Sequence, residues 1–188
     1  MGVTQYYVAQ SLDGYIAESD GGLDWLLGFG GSAADVSEAT DGTYEEFFAG
    51  VGAVVMGSAT YEFILAMEDG AWPYAGKPCW VFTSRDLPVP EAADVRFVNG
   101  SVSEADERMR ASAGDGNLWL VGGGELASQF AEAAMLDQLL VTVVPVVLGA
   151  GMATFARRLE GEQLRLTGSR AFANGMTELA FDFAGRAP

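Results

Sequence analysis

Apolar positions along this chain fall into short blocks at residues 3–12 (VTQYYVAQSL), 52–57 (GAVVMG), 78–84 (PCWVFTS), 95–99 (VRFVN), 117–122 (NLWLVG) and 137–149 (DQLLVTVVPVVLG). Each is rich in β-branched or aromatic residues and bounded by Gly, Pro or Asp, which predicts strands. Between them, the mixed apolar and polar spacing at 43–50, 58–67, 101–113 and 124–135 predicts helices. Ser101, with Glu104 three residues on, forms the capping box that opens the third helix. Strands alternating with helices imply an α/β architecture whose sheet is mostly parallel and covered on both faces. The tail breaks this rhythm: 162–185 holds two alternating runs around Ala173-Asn174-Gly175, a hairpin signal that adds an antiparallel edge.

Composition narrows the chemistry. With 188 residues, 49% of them hydrophobic, residues 1–188 are expected to form a single domain. No apolar run reaches the roughly 18–20 residues that span a bilayer, and no secretory leader pattern is present, so the expectation is a cytoplasmic protein. One cysteine, Cys79, and no histidine exclude an internal disulfide, a Cys/His zinc site, His-based triads and Cys–His proteases. A formal net charge of −16 with ten Lys and Arg disfavours nucleic acid and anionic membrane as partners. Any arginine in a loop therefore stands out, because a phosphate ligand would depend on local positive charge.

Three junctions carry candidate ligand chemistry. In LWLVGGGELA (118–127), Gly122, Gly123 and Gly124 separate a predicted strand from a predicted helix. GGGELA satisfies the G-x-G-x-x-A dinucleotide fingerprint, yet the acidic residue expected about 20 positions later is absent: position 142 is Thr. Two readings of these glycines remain. They let a phosphate approach backbone N–H groups at a helix start, or they serve only a tight turn and close helix–sheet packing. In VVMGSATYEFI (54–64), Gly57 precedes a helix whose first turn carries Ser58 and Thr60, hydroxyls suited to capping or to phosphate. In VFTSRDLP (81–88), Thr83, Ser84 and Arg85 follow a strand, where an arginine can fork onto a phosphate or simply face solvent. Together they sit at carboxyl ends of parallel strands, where open α/β sheets bind ligands.

The ordered set SLDGYIA (11–17), VVMGSATYE (54–62), VFTSR (81–85), LVGGGEL (120–126) and VTVVPVVLGAG (141–151) resembles the dihydrofolate reductase-like superfamily. Within it, the chain is most similar to the reductase domain of the bifunctional riboflavin-biosynthesis deaminase-reductase and its stand-alone relatives. The resemblance implies a three-layer dihydrofolate reductase-like fold and NADPH bound across the carboxyl ends of the central strands. By position, Gly122, Gly123, Gly124, Glu125 and Leu126 would wrap the pyrophosphate, with Gly57, Ser58 and Thr60 on its other side. Thr83, Ser84 and Arg85 would hold the adenosine ribose and its 2′-phosphate, while Val8, Ala9 and Ile16 would face the nicotinamide. Relatives usually carry Arg at the position of Ser58, so Arg85 is left to meet the 2′-phosphate alone.

Hydride transfer requires no metal and no covalent nucleophile, which suits a chain without histidine. The family's carboxylate that assists protonation maps by spacing onto Asp41, which is equally placed to cap a helix. Asp13 in SLDGYIA is the second candidate, and Asp-Gly there is also ordinary turn chemistry. Trp25 in LDWLL suits either stacking on a flat substrate or the core. The riboflavin-pathway substrate carries a ribose phosphate, for which Lys77, Arg157 and Arg158 are the loose basic candidates. The deaminase zinc signature is absent, so the resemblance implies a stand-alone reductase of a small heterocycle. A non-catalytic nucleotide-binding relative is the alternative; a flavin enzyme lacks a supporting motif. Homodimerisation, common in the family, would draw on Trp80, Phe82 and the late apolar strand.

Overall fold

A computed structural model describes residues 2–30, 43–67, 72–159 and 164–183. In chain order the elements are β1 (Thr4–Ser11), β2 (Tyr15–Ala17), α1 (Asp24–Gly30), α2 (Thr43–Ala49), β3 (Val51–Gly57), α3 (Ser58–Met67), β4 (Cys79–Phe82), β5 (Val95–Val98), α4 (Val102–Ala113), β6 (Asn117–Gly122), α5 (Gly124–Glu132), β7 (Gln138–Val144), β8 (Met152–Ala153), β9 (Leu164–Ala171) and β10 (Thr177–Phe183). The eight long strands form one sheet in the order β5-β4-β3-β6-β1-β7-β10-β9. Pairing is parallel from β5 to β7 and antiparallel at β7–β10 and β10–β9, the parallel sheet with an antiparallel C-terminal edge that the alternation implies.

The strands read as continuous apolar runs because both faces are covered. Successive residues of β3 point opposite ways: Ala53 and Val55 join a cluster with Met109, Phe130 and Ala131, beneath α4 and α5. Val54 and Met56 join a second cluster with Tyr61 and Trp119, to which Phe47, Phe48 and Ile64 of α2 and α3 add their side chains. Helix, sheet and helix thus make three layers. A third, smaller cluster of Val144, Phe172 and Met176 is packed by Trp25 and Leu26.

Local chemistry fixes several boundaries. Ser101 Oγ accepts the N–H of Glu104 at 3.3 Å and Glu104 Oε2 accepts the N–H of Ser101 at 3.0 Å, the reciprocal capping box. The run at 137–149 does not continue as one strand. β7 stops at Val144 because Pro145 has no N–H for the ladder, and Val146 N–H donates to the Val144 carbonyl at 2.8 Å in a tight turn. The helix expected to reach 135 ends at Glu132. Ala134 adopts φ 57° and Met135 N–H closes back on the Phe130 carbonyl at 2.8 Å, a stop made without the usual glycine. Three elements carry no sequence period of their own: β2 and β8, which pair only with each other, and α1. Among the described residues no helix is long and apolar enough to cross a membrane.

Candidate functional site

The carboxyl ends of β1, β3, β4, β5 and β6 open into a cleft of about 890 Å³. Val8 and Ala9 of β1 contribute its floor, and the β2–β8 ribbon borders it with Ile16, Ala17, Met152 and Ala153. Gly57, Ser58 and Thr60, where β3 passes into α3, line it beside Thr83 and Ser84 after β4. Gly122, Gly123, Gly124, Glu125 and Leu126, where β6 passes into α5, complete it. Thirteen of the fourteen positions expected to touch a cofactor are thus brought into one wall, and the missing one is Arg85.

The three consecutive glycines differ in what they do. A Cβ on Gly124 would lie 2.1 Å from the Ala153 carbonyl oxygen, so this glycine lets α5 pack on the 152–157 segment. That segment is stitched down: Ala156 N–H donates to the Gly124 carbonyl at 3.2 Å, and Tyr6 Oη donates to the Thr154 carbonyl at 3.1 Å. A Cβ on Gly123 would meet nothing within 4 Å, and its backbone (φ −93°, ψ −177°) is open to any residue. Gly57, at the end of β3, also has nothing within 4 Å of a built Cβ. Packing does not call for glycine at either position; a side chain at each would enter open space beside the cleft. The peptide joining Gly122 and Gly123 is cis. Gly123 caps α5 without a side-chain hydrogen bond, and the first-turn residues Gly124, Glu125 and Leu126 line the cleft.

Charge is sparse in this wall. Glu125 is the single acid among the described lining residues, and none of them is Lys or Arg. Glu125 pairs with Arg157, which also donates to Glu132 at 3.0 Å. Arg85 stands at the margin, where its guanidinium forks onto Glu62 at 2.9 and 2.5 Å. Its backbone N–H donates to Thr83 Oγ1 at 3.0 Å. Lys77 donates to the Val51 carbonyl at 2.5 Å over the Phe48 ring, away from the cleft.

Three expectations from the sequence take a different place. Asp13 does not line the cleft: its carboxylate accepts from Ser11 Oγ at 2.7 Å and from the N–H groups of Leu148 and Gly149 at 3.1 and 2.7 Å. The Ser11 hydroxyl, followed by those backbone donors, holds the carboxyl below its ordinary pKa. Trp25 packs on the cluster of Val144, Phe172 and Met176, while its neighbours Leu23 and Leu26 reach the cleft. Trp80 is buried under α4, its Nε1 donating to Ser112 Oγ at 2.9 Å, and Phe82 packs on Phe130, so neither forms an exposed pairing surface. Asp41 lies outside the described residues.

No motif in the sequence marks the aromatic residues of the wall, Tyr7, Phe63 and Tyr74, or the aliphatic Ile64 beside them. Tyr7 alternates with Val8 along β1, a signal available from the strand period. Burial foremost, then the Glu178 charge, pushes its phenol up to about 12, against hydrogen bonds from Thr43 and Thr142. It therefore stays protonated. Asn99 and Gly100 also line the cleft at the end of β5, where the carboxyl-end rule points.

The model of the RibD C-terminal domain family matches residues 71–177, more than half of the chain. The protein belongs to the RibD C-terminal domain family. This RibD C-terminal domain protein is 34% identical over 173 residues to the uncharacterized protein YwjB of Bacillus subtilis strain 168, covering 92% of this chain and 94% of that one. Among solved structures it is similar to a Shewanella sp. PV-4 protein provisionally named for riboflavin biosynthesis. The TM-score there is 0.80, at 26% identity, over 96% of this chain and 98% of the other. Dihydrofolate reductase from Enterococcus faecalis, solved with NADP(H), shares the fold with TM-score 0.65 at 16% identity, over 97% and 96% of the two chains. The chain therefore has the dihydrofolate reductase-like architecture.

Proposed function

We propose that the cleft binds NADPH and that the protein is a reductase delivering hydride to a small, flat heterocycle. The observation that carries this reading is the pair Gly57 and Gly123, glycines whose missing side chains leave room only toward the cleft. Gly123 and the uncapped first turn of α5 would hold the pyrophosphate by backbone N–H groups, with Ser58 and Thr60 opposite. Val8, Ala9 and Ile16 would seat the nicotinamide at the β1 end, and Thr83 and Ser84 the adenosine ribose. NADPH when bound supplies the hydride. The chain's own groups orient the two reactants and exclude water, and Tyr7 in the wall keeps a phenolic proton. Asp41 remains the proposed carboxylate from the family pattern. Asp13, tied to Leu148 and Gly149, supports the β1–β2 turn instead.

The chemistry resembles that of 5-amino-6-(5-phosphoribosylamino)uracil reductase. The absence of Lys and Arg among the described lining residues favours a substrate without the phosphoribosyl group. The reading extends to a cytoplasmic homodimer: β9 ends the sheet with Leu164 and Leu166 exposed at 42% and 55%, an apolar edge suited to pairing.

The test is a fluorescence titration with NADPH, followed by a screen of pteridines and aminopyrimidines for oxidation of the bound cofactor. Micromolar binding that Gly57→Val removes without lowering Tm supports the site. Binding without turnover of any such compound favours the non-catalytic relative, and absence of binding removes the cofactor from the reading.

A further inference from the structure

A dinucleotide lying in this cleft, as the proposed function has it, meets an unusual charge arrangement at its adenosine end. Thr83 and Ser84 line the cleft but Arg85 does not. Both terminal nitrogens of Arg85 are committed to both oxygens of Glu62, at 2.9 and 2.5 Å, the fork geometry that a phosphate would otherwise take. The pair is held in register by its neighbours. Tyr61, wholly buried one residue before Glu62, donates its hydroxyl to the Pro88 carbonyl at 2.6 Å, tying α3 to the loop that carries Arg85. On the other side, Thr83 Oγ1 accepts the Arg85 N–H at 3.0 Å and fixes the turn.

No other cation stands ready in the described wall. Arg157 is shared between Glu125 and Glu132, Lys77 is turned onto Val51, and Ser58 is uncharged. A phosphate added at the ribose 2′ position would have to displace a carboxylate, and would then sit beside that displaced charge on a protein of net charge −16. A free ribose 2′-hydroxyl faces no such competition.

We infer that Glu62 sets the cofactor choice of this site: by holding Arg85 in the ion pair it removes the preference for the 2′-phosphate, so that NADH binds about as well as NADPH. Glu62 is a specificity residue that acts through Arg85. This inference rests on the proposed dinucleotide cleft, and the measurement separates the two.

Dissociation constants for NADH and NADPH are compared in wild type, Glu62→Gln, Arg85→Ala and the double variant at one moderate salt concentration. The expected result is wild-type constants within about three-fold of each other. Glu62→Gln tightens NADPH by about ten-fold with NADH unchanged. Arg85→Ala alone leaves the ratio near the wild-type value, and in the double variant the gain disappears. The inference is overturned if wild type already prefers NADPH ten-fold or more and Arg85→Ala abolishes that preference, or if Glu62→Gln leaves the ratio unmoved while both cofactors still bind. If wild type binds neither cofactor, the dinucleotide cleft itself is overturned.

Discussion

Asp13 Oδ2 accepts the backbone N–H of Gly149 at 2.7 Å, joining the turn after β1 to the loop after β7 across the sequence. With Oδ1 taken by Ser11 and Leu148, the carboxylate is a bracket for two loops. Its folded pKa is depressed, so the charged form is the stabilising one. The stabilisation is fully present above the ordinary carboxylate pKa of about 3.9 and is lost as pH falls through the lower folded value. Asp13→Ala is expected to lower Tm at neutral pH, and the gap from wild type to close as pH drops below about 4. Melting curves of both proteins across pH check this; a gap that widens toward low pH would contradict it.

The contrast among the glycines makes a sharper test. Gly57→Ala and Gly123→Ala place a methyl group in open cleft, so both should cost less stability than Gly124→Ala. Cofactor affinity should fall by roughly ten-fold or more where the methyl meets the ligand. Gly124→Ala drives a methyl into the Ala153 carbonyl and should cost about 1–3 kcal/mol of stability. Chemical denaturation together with cofactor titration of the three variants reads both quantities. Equal stability losses at all three positions would remove the distinction.

Tyr61→Phe keeps the buried ring and deletes the 2.6 Å bond to Pro88. An unpaired carbonyl should cost about 1–2 kcal/mol. Because Thr83 and Ser84 lie on the loop so anchored, stability and cofactor affinity are expected to fall together. A loss of stability with affinity untouched would mean that this bond does not position the loop.

Cys79 is fully buried on β4, and desolvation foremost, then the Asp94 charge, pushes its thiol up to about 12. Near pH 8 only about one thiol in ten thousand is ionised. An aromatic disulfide reagent should leave the native protein unlabelled and modify one thiol per chain in denaturant. Labelling of the native protein within seconds would show the β4 environment to be open.

Legibility followed the range of the interactions that fix each element. The capping box at Ser101 and Glu104 is a contact three residues long, and the helix at 58–67 and the strand at 117–122 have the bounds that pattern assigns them. The turn into β8 is different. Its two residues pair only because Tyr15 and Ala17 meet them from the far end of the chain, and no local period announces that. At the site, all three glycines are visible in sequence, but Gly124 is separated from Gly123 in role by Ala153, a carbonyl brought in by a later loop. Arg85 is legible as a phosphate candidate, whereas no local pattern singles out Glu62. Their mutual fork depends on how α3 lies against the loop after β4, which is a tertiary fact.

The position of β6 has a consequence for synthesis. It lies between β1 and β3, yet it leaves the ribosome after both, and after β4 and β5 as well. Until Asn117–Gly122 emerges, β1 lacks its bridge to β3, and the growing chain presents unpaired, apolar strand edges. Closure of the sheet is therefore a late event governed by long-range pairing. The next residues translated are Gly123 and Gly124, so the keystone strand and the glycine turn that lines the cleft are delivered in a single stroke.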